Sequence, residues 1–190
     1  YVRHCCFKTY AGPGSGFTVD DFVDELFDSS VFAVVEAQYI GDCEASGRVF
    51  LPTDHVIYGA FGLAPAESFA LVLTSGLLAV AAFTRNDLRS SRDIGTPGIP
   101  GRPGTNDAAR VEVIVEALTT IDVSFTYVFA SEEYNEGVNF DDIFVLLIGQ
   151  ADTIDPDDVT GLVNVAIVPG TANTPVSTTT INLGANSQVY

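Results

Sequence analysis

Residues 121–149 read "IDVSFTYVFASEEYNEGVNFDDIFVLLIG". Two apolar runs, "VSFTYVFA" and "IFVLLIG", enclose "SEEYNEGVNFDD", which gathers Glu132, Glu133, Glu136, Asp141 and Asp142. The flanks are rich in β-branched and aromatic residues and are bounded by charged and glycine-bearing segments, the pattern of strands. Antiparallel pairing of 121–130 with 142–148 would return Glu132 and Glu133 to the side of Asp141 and Asp142. Carboxylates held that close raise one another's pKa. Three reliefs are open: exposure to water in a solvated turn, a shared proton as in a catalytic dyad, or a bound cation. Oxygen ligands alone, from Glu, Asp and the Asn139 amide, suit calcium. His4 and His55 lie far off in sequence and form no zinc spacing.

Working outward, the same period of two recurs in "VFAVVEAQYI" (31–40), "SFALVLT" (68–74), "RVEVIVEAL" (110–118), "LVNVAIV" (162–168) and "VSTTTINL" (176–183). In 110–118, Val111, Val113 and Val115 alternate with Arg110, Glu112 and Glu116, which predicts one wet face. "IFVLLI" is apolar on both faces and is expected inside a sheet. One segment departs from this. In "TVDDFVDELFDSS", Thr18 caps, Asp21 completes a capping box, and Phe22/Leu26 and Val23/Phe27 recur four apart, predicting a short helix. The expected fold is mainly β: an antiparallel, jelly-roll-like β-sandwich with one short N-terminal helix. Residues 1–16, ending "YAGPGSG", read as a connector, and 17–190 as a single sandwich domain.

Composition narrows the function. The 190 residues hold 25 acidic and 8 basic side chains, a net charge of −17. That balance opposes nucleic acid, whose phosphates call for clustered Lys and Arg, and opposes anionic membrane surfaces. No apolar run reaches the roughly 20 residues of a membrane helix, so no membrane insertion is expected. "FALVLTSGLLAVAAF" (69–83) is interrupted at Thr74–Gly76 and reads as a buried strand, a turn and a second apolar segment. With Tyr at position 1 and no Met anywhere, more chain is expected upstream. Cys5, Cys6 and Cys43 are disulfide candidates, with Cys43 pairing one of the adjacent two, or else three buried thiols. "GTPGIPGRPG" (95–104) places Gly at every third position, too briefly for a collagen helix, and predicts a rigid extended loop. The "STTT" run at 177–180 offers hydroxyls for O-glycans. No nucleophile elbow, triad setting or phosphate loop is present in sequence.

"YVFASEEYNEGVNFDDIFVLLIG" also resembles the signature of the choice-of-anchor L domain family. "LVLTSGLLAVAAFTRND", "GTNDAARVEVIVEAL" and "NVAIVPGTANTPVSTTTINLG" extend the resemblance over about residues 17–190, with Ser131–Tyr134 its most specific part. The resemblance implies a secreted or surface-attached module, structural or adhesive, with no catalytic activity. It carries Asp142 over more firmly than Asp141, because the family usually has an aromatic residue or Asn before its Asp. Family members also continue beyond the position of Tyr190 with further strands. The domain is therefore expected to be incomplete, its missing strands supplied by other copies of itself or by a strand-donating polypeptide.

The expected function is a non-enzymatic, extracellular structural or adhesive module of a cell-surface or filament-forming protein, stabilised by calcium. Its metal candidates are Glu132, Glu133, Asn139, Asp141 and Asp142, with Asp107 contributing from a neighbouring strand. Two alternatives stand beside it. A calcium-dependent carbohydrate-binding module would use Tyr134 as a stacking platform and take glycans as partners. A glycoside hydrolase would use the acidic hairpin, although the chain has no Trp for a sugar cleft.

Overall fold

The computed structural model describes residues 8–10, 18–42, 44–51, 68–76, 78, 98–125, 127–131, 141–150, 155, 158–182 and 184–186. They fall into two compact units, one drawn from 1–120 and 153–158, the other from 121–152 and 159–190.

In the first unit, strands β1 (Lys8–Tyr10), β2 (Phe32–Ile40), β3 (Ser46–Leu51), β4 (Ser68–Leu73) and β5 (Arg110–Ala117) accompany helix α1 (Val19–Leu26). The helix starts as its sequence requires. Thr18 Oγ1 accepts the Asp21 amide at 3.2 Å, while Asp21 Oδ2 accepts the Thr18 amide at 2.7 Å. It stops at the Phe27 cap, where Asp28 takes Ser30 N and Oγ at 2.8 and 2.7 Å and turns the chain. Phe22 and Val23 are buried while Leu26 is 40% exposed, so one side of the short amphipathic stripe faces inward. Phe22 packs against Val19, Tyr39, Leu71 and Val111.

Strands β2 and β5 pair antiparallel from Phe32↔Ala117 to Ile40↔Arg110. The register shifts between Val34 and Glu36, leaving Val35 unopposed and 61% exposed; a bulge of this kind bends the strand. Tyr39 and Val111, partners in that register, are the pair that meets Phe22. At the end of β2 the Tyr39 hydroxyl donates to the Asp42 carbonyl at 2.6 Å. Gly41 (φ +155°) lies beneath the phenol, where any added Cβ would collide with it. The other sheet runs β1-β3-β4, with β3–β4 antiparallel and β1–β3 parallel. Neither β3 nor β1 was among the predicted strands; Lys8–Tyr10 falls in the segment read as a connector. Arg48 of β3 ties to Glu25 of α1 at 2.7 Å.

After β4 the interruption at Thr74–Gly76 is a turn, with Gly76 N donating to Thr74 Oγ1 at 3.1 Å, and Leu78 beyond it is fully buried. The described part of the glycine-proline segment, 98–105, is not extended as predicted. It folds back on itself: Ile99 N donates to Thr105 Oγ1 at 2.8 Å, and Arg102 N to the Ile99 carbonyl at 3.1 Å.

In the second unit, β6 (Ile143–Phe144) pairs with β9 (Val176–Ser177), and β7 (Leu147–Ile148) with β8 (Val163–Asn164), both antiparallel. Ala166, Val168, Val176 and Ile181 form its buried core, with Tyr127, Phe129, Phe144 and Leu146 packed against them. The rings of Tyr127 and Phe144 lie 4.6 Å apart. Two expectations change here. The ladder partners of 143–148 are β8 and β9, not 121–130; the latter, where described, has no named strand and packs Tyr127 and Phe129 inward. The predicted strand 142–149 is also divided. Asn164 Oδ1 accepts the amides of Leu146 and Ala166, both at 3.1 Å, and its Nδ2 donates to the Ala166 carbonyl at 3.2 Å. This side chain takes the place of backbone pairing where the strand breaks.

Strand outweighs helix among the described residues, and of the named strand pairs only β1–β3 is parallel. Among the described residues the fold is therefore mainly β, with the short helix α1 near the N-terminus.

Candidate functional site

The site begins with β9. Its pairing with β6 sets Ser177 opposite Ile143, and one further bond, Thr178 N to the Asp142 carbonyl at 3.0 Å, carries the contact past the end of the ladder. That register brings the hydroxyl run 177–180 alongside Asp141 and Asp142. The run is a tight turn: Thr180 N and Ile181 N both donate to the Ser177 carbonyl, at 3.2 and 2.9 Å. The turn presents donors to Asp141. Its Oδ1 accepts Thr178 Oγ1 at 2.9 Å and Thr179 N at 3.0 Å, and its Oδ2 accepts Thr179 Oγ1 at 3.0 Å.

These donors set the electrostatics. Burial pushes the Asp141 carboxyl up, but the Thr179 amide and the hydroxyls of Thr178, Thr179 and Ser177 pull the other way. Together they hold it below the ordinary carboxylate value. Asp142 is served separately, by a short hydrogen bond that Ser131 Oγ donates to its Oδ2. Each of these two carboxylates therefore already has a hydroxyl partner from its own chain.

The remaining hydroxyls of the turn are engaged as well. Thr180 Oγ1 donates to the Pro175 carbonyl at 2.6 Å, and Ser177 Oγ lies 3.0 Å from Thr179 Oγ1. Asn182 Nδ2 donates to the Thr179 carbonyl at 3.2 Å, and Asn186 Nδ2 to the Thr180 carbonyl at 2.7 Å. The hydroxyl run 177–180, which offers O-glycan acceptors in sequence, is a hydrogen-bonded corner. Ser177 and Thr178 are buried within it.

Of the predicted site residues, Asp141 and Asp142 are adjacent in the second unit, each on its own donors. Asp107 belongs to the first unit, half-buried, just before β5, with φ +55°. Glu132, Glu133, Tyr134 and Asn139 lie outside the described residues, as do Cys5, Cys6 and Cys43. Among the described residues, no group of three or more His, Cys, Asp or Glu side chains is gathered as a metal set. Asp141 has committed three of roughly four acceptor positions to hydroxyl and amide donors. It fits a hydrogen-bonded anchor better than a vacant calcium ligand.

Sequence reading missed Ser131, Thr178 and Thr179 as partners of the carboxylates. The Thr–Asp141 contacts span 37 and 38 residues, a pairing set by strand register and invisible to local spacing.

The family model of the Choice-of-anchor L domain matches residues 71–189. The match opens inside β4 and takes in β5 and every named strand of the second unit. Residues 17–70, which the sequence resemblance had included, lie before it. No curated protein and no solved structure matches the chain.

Proposed function

The chain belongs to the choice-of-anchor L domain family, whose model covers more than half of it, and on that premise we propose a structural or adhesive module of a cell-surface or filament-forming protein. The family is one of surface-associated domains and not a known enzyme family. Among the described residues no helix is long and apolar enough to cross a membrane. The adhesive and filament-forming role is the part that goes beyond membership.

One observation supports the structural reading of the acidic segment: the Asp141 carboxylate is fastened by three donors from Thr178 and Thr179. A general acid in glycoside hydrolysis needs a raised pKa. Asp141 is held in the opposite direction. Assay against glycosides tests this: no turnover is expected, and turnover that disappears in Glu132→Gln and Glu133→Gln would replace the reading with a hydrolase.

Calcium belongs to the same proposal. Glu132, Glu133, Asn139 and Asp142 would supply its oxygen ligands, with Asp141 as a weaker contributor. A bound calcium would neutralise the acidic segment and stiffen it. An ion that binds only the folded chain raises its melting temperature. Equal melting midpoints in calcium and in chelator would remove calcium while leaving the hydroxyl-fastened corner in place.

A further inference from the structure

Residues 95–104, "GTPGIPGRPG", are three Gly-X-Pro triplets closed by a further glycine. In collagen the third place of such a triplet often carries hydroxyproline. The described part, 98–105, is no collagen strand but two successive turns. Arg102 N donates to the Ile99 carbonyl at 3.1 Å around Pro100-Gly101, and Thr105 N to the Arg102 carbonyl at 3.4 Å around Pro103-Gly104. Gly101 (φ +71°) and Gly104 (φ +89°) hold the left-handed place after each proline. Proline followed by a positive-φ glycine is the type II turn, because the pyrrolidine ring presets φ for the first corner. Thr105 Oγ1 locks the two turns together: it accepts Ile99 N and donates to the Arg102 carbonyl, both at 2.8 Å.

The two corners differ in access. Pro103 and Gly104 are exposed, and a Cβ built on Gly104 would meet nothing within 4 Å. Pro100 is half-buried, and a Cβ on Gly98 beside it would strike the Thr105 carbonyl. Chemistry on a proline ring requires the ring to enter another enzyme's site, and the open corner at Pro103 is the one that allows it. The chain also holds an internal comparison. Pro169-Gly170 makes the same turn: Thr171 N donates to the Val168 carbonyl at 3.1 Å, Gly170 has φ +79°, and both corner residues are exposed. There, however, Ile167 stands where a triplet would need glycine.

We propose that Pro103 is a modification site, hydroxylated at ring carbon C4 by a non-haem iron(II) prolyl oxygenase that consumes dioxygen and a 2-oxo acid. One oxygen atom enters the C4–H bond of Pro103 and leaves it as C4–OH. The other goes to the 2-oxo acid, which releases carbon dioxide and becomes the carboxylic acid one carbon shorter. The C–H bond and the decarboxylation each supply two electrons, which together reduce the dioxygen fully. The triplet repeat marks the site and the exposed turn delivers it. The modification needs neither calcium nor the adhesive role.

The test is tandem mass spectrometry of tryptic peptides from the chain purified from the cells that make it. The peptide 93–110 contains no Met, Trp, Cys, His or Tyr, so an oxygen added to it is not incidental side-chain oxidation. The expected result is one added oxygen placed by backbone fragments at Pro103, less at Pro100 and none at Pro169. Amino-acid analysis of the same peptide should identify 4-hydroxyproline. Chain from cells grown with a competitive 2-oxo-acid analogue should lose the added oxygen. An unmodified Pro103, the 3-hydroxy isomer in its place, or an oxygen that persists under the analogue overturns the proposal. Equal modification of Pro169 overturns it too, because the turn alone would then suffice without the repeat.

Discussion

The Asp141 carboxylate accepts both the amide and the hydroxyl of Thr179, each at 3.0 Å, across 38 residues of chain. This clasp joins the segment entering β6 to the turn leaving β9. It gives an acidic residue a job that requires its charge and no substrate. In energetic terms it resembles a helix cap, with orphan donors of a turn satisfied by a nearby carboxylate oxygen.

Removing the charge while keeping the shape should loosen the corner. Asp141→Asn is expected to lower stability by about 1–2 kcal/mol, the lower part of the range for hydrogen bonds to charged groups because the side chain is exposed and screened. Urea unfolding followed by circular dichroism measures it.

The same clasp should titrate. Asp141 is held below its ordinary value of 3.8 in the folded chain. Its contribution is therefore fully present above the unfolded pKa and is lost as pH falls through the lower folded value. The stability gap between the unaltered chain and Asp141→Asn should be constant from pH 7 to pH 5 and should close below about pH 3.8. A gap that widens on acidification would show the opposite shift.

Tyr39 should resist ionisation. Burial is the main cause, the Asp42 charge adds to it, the Ser46 hydroxyl opposes, and the phenol is pushed up to about 12. A raised folded pKa makes a contribution that is whole below the unfolded value near 10 and is lost as pH rises through about 12. Ultraviolet titration should show one tyrosine ionising late, and Tyr39→Phe should remove that step.

Asn164 fills the break between β6 and β7 with three hydrogen bonds to Leu146 and Ala166. Asn164→Leu leaves those backbone groups without their partner, and Ala166 is almost fully buried. The expected cost is roughly 1–3 kcal/mol, that of unsatisfied buried polar groups, read as a lower urea midpoint with unchanged slope.

Much of the fold was legible in the sequence where local rules decide it. Thr18 and Asp21 announced the helix start, and the Val111/Val113/Val115 alternation announced β5. Tyr127 and Phe129, two apart in that segment, pack on the core although 121–130 forms no named ladder. What failed depends on distant partners. Nothing near Phe144 tells that β6 pairs with Val176 and Ser177, or that Asn164 divides the strand. β3, "SGRVFL", has glycine and arginine where a strand pattern would show alternation, and pairing with β4 overrides that weak signal. The acidic segment was visible as a concentration of charge, but the donors that answer Asp141 and Asp142 were not. They come from a hydroxyl run and from Ser131, which are ordinary turn residues until register places them.

The most direct measurement is a double-mutant cycle on Asp141→Ala and Thr178→Val, comparing each single variant and the pair by urea unfolding. A hydroxyl-fastened carboxylate predicts a coupling of about 1 kcal/mol, the double variant losing less than the sum of the singles. Strict additivity, with each residue contributing as though the other were absent, would contradict the structural role assigned to Asp141.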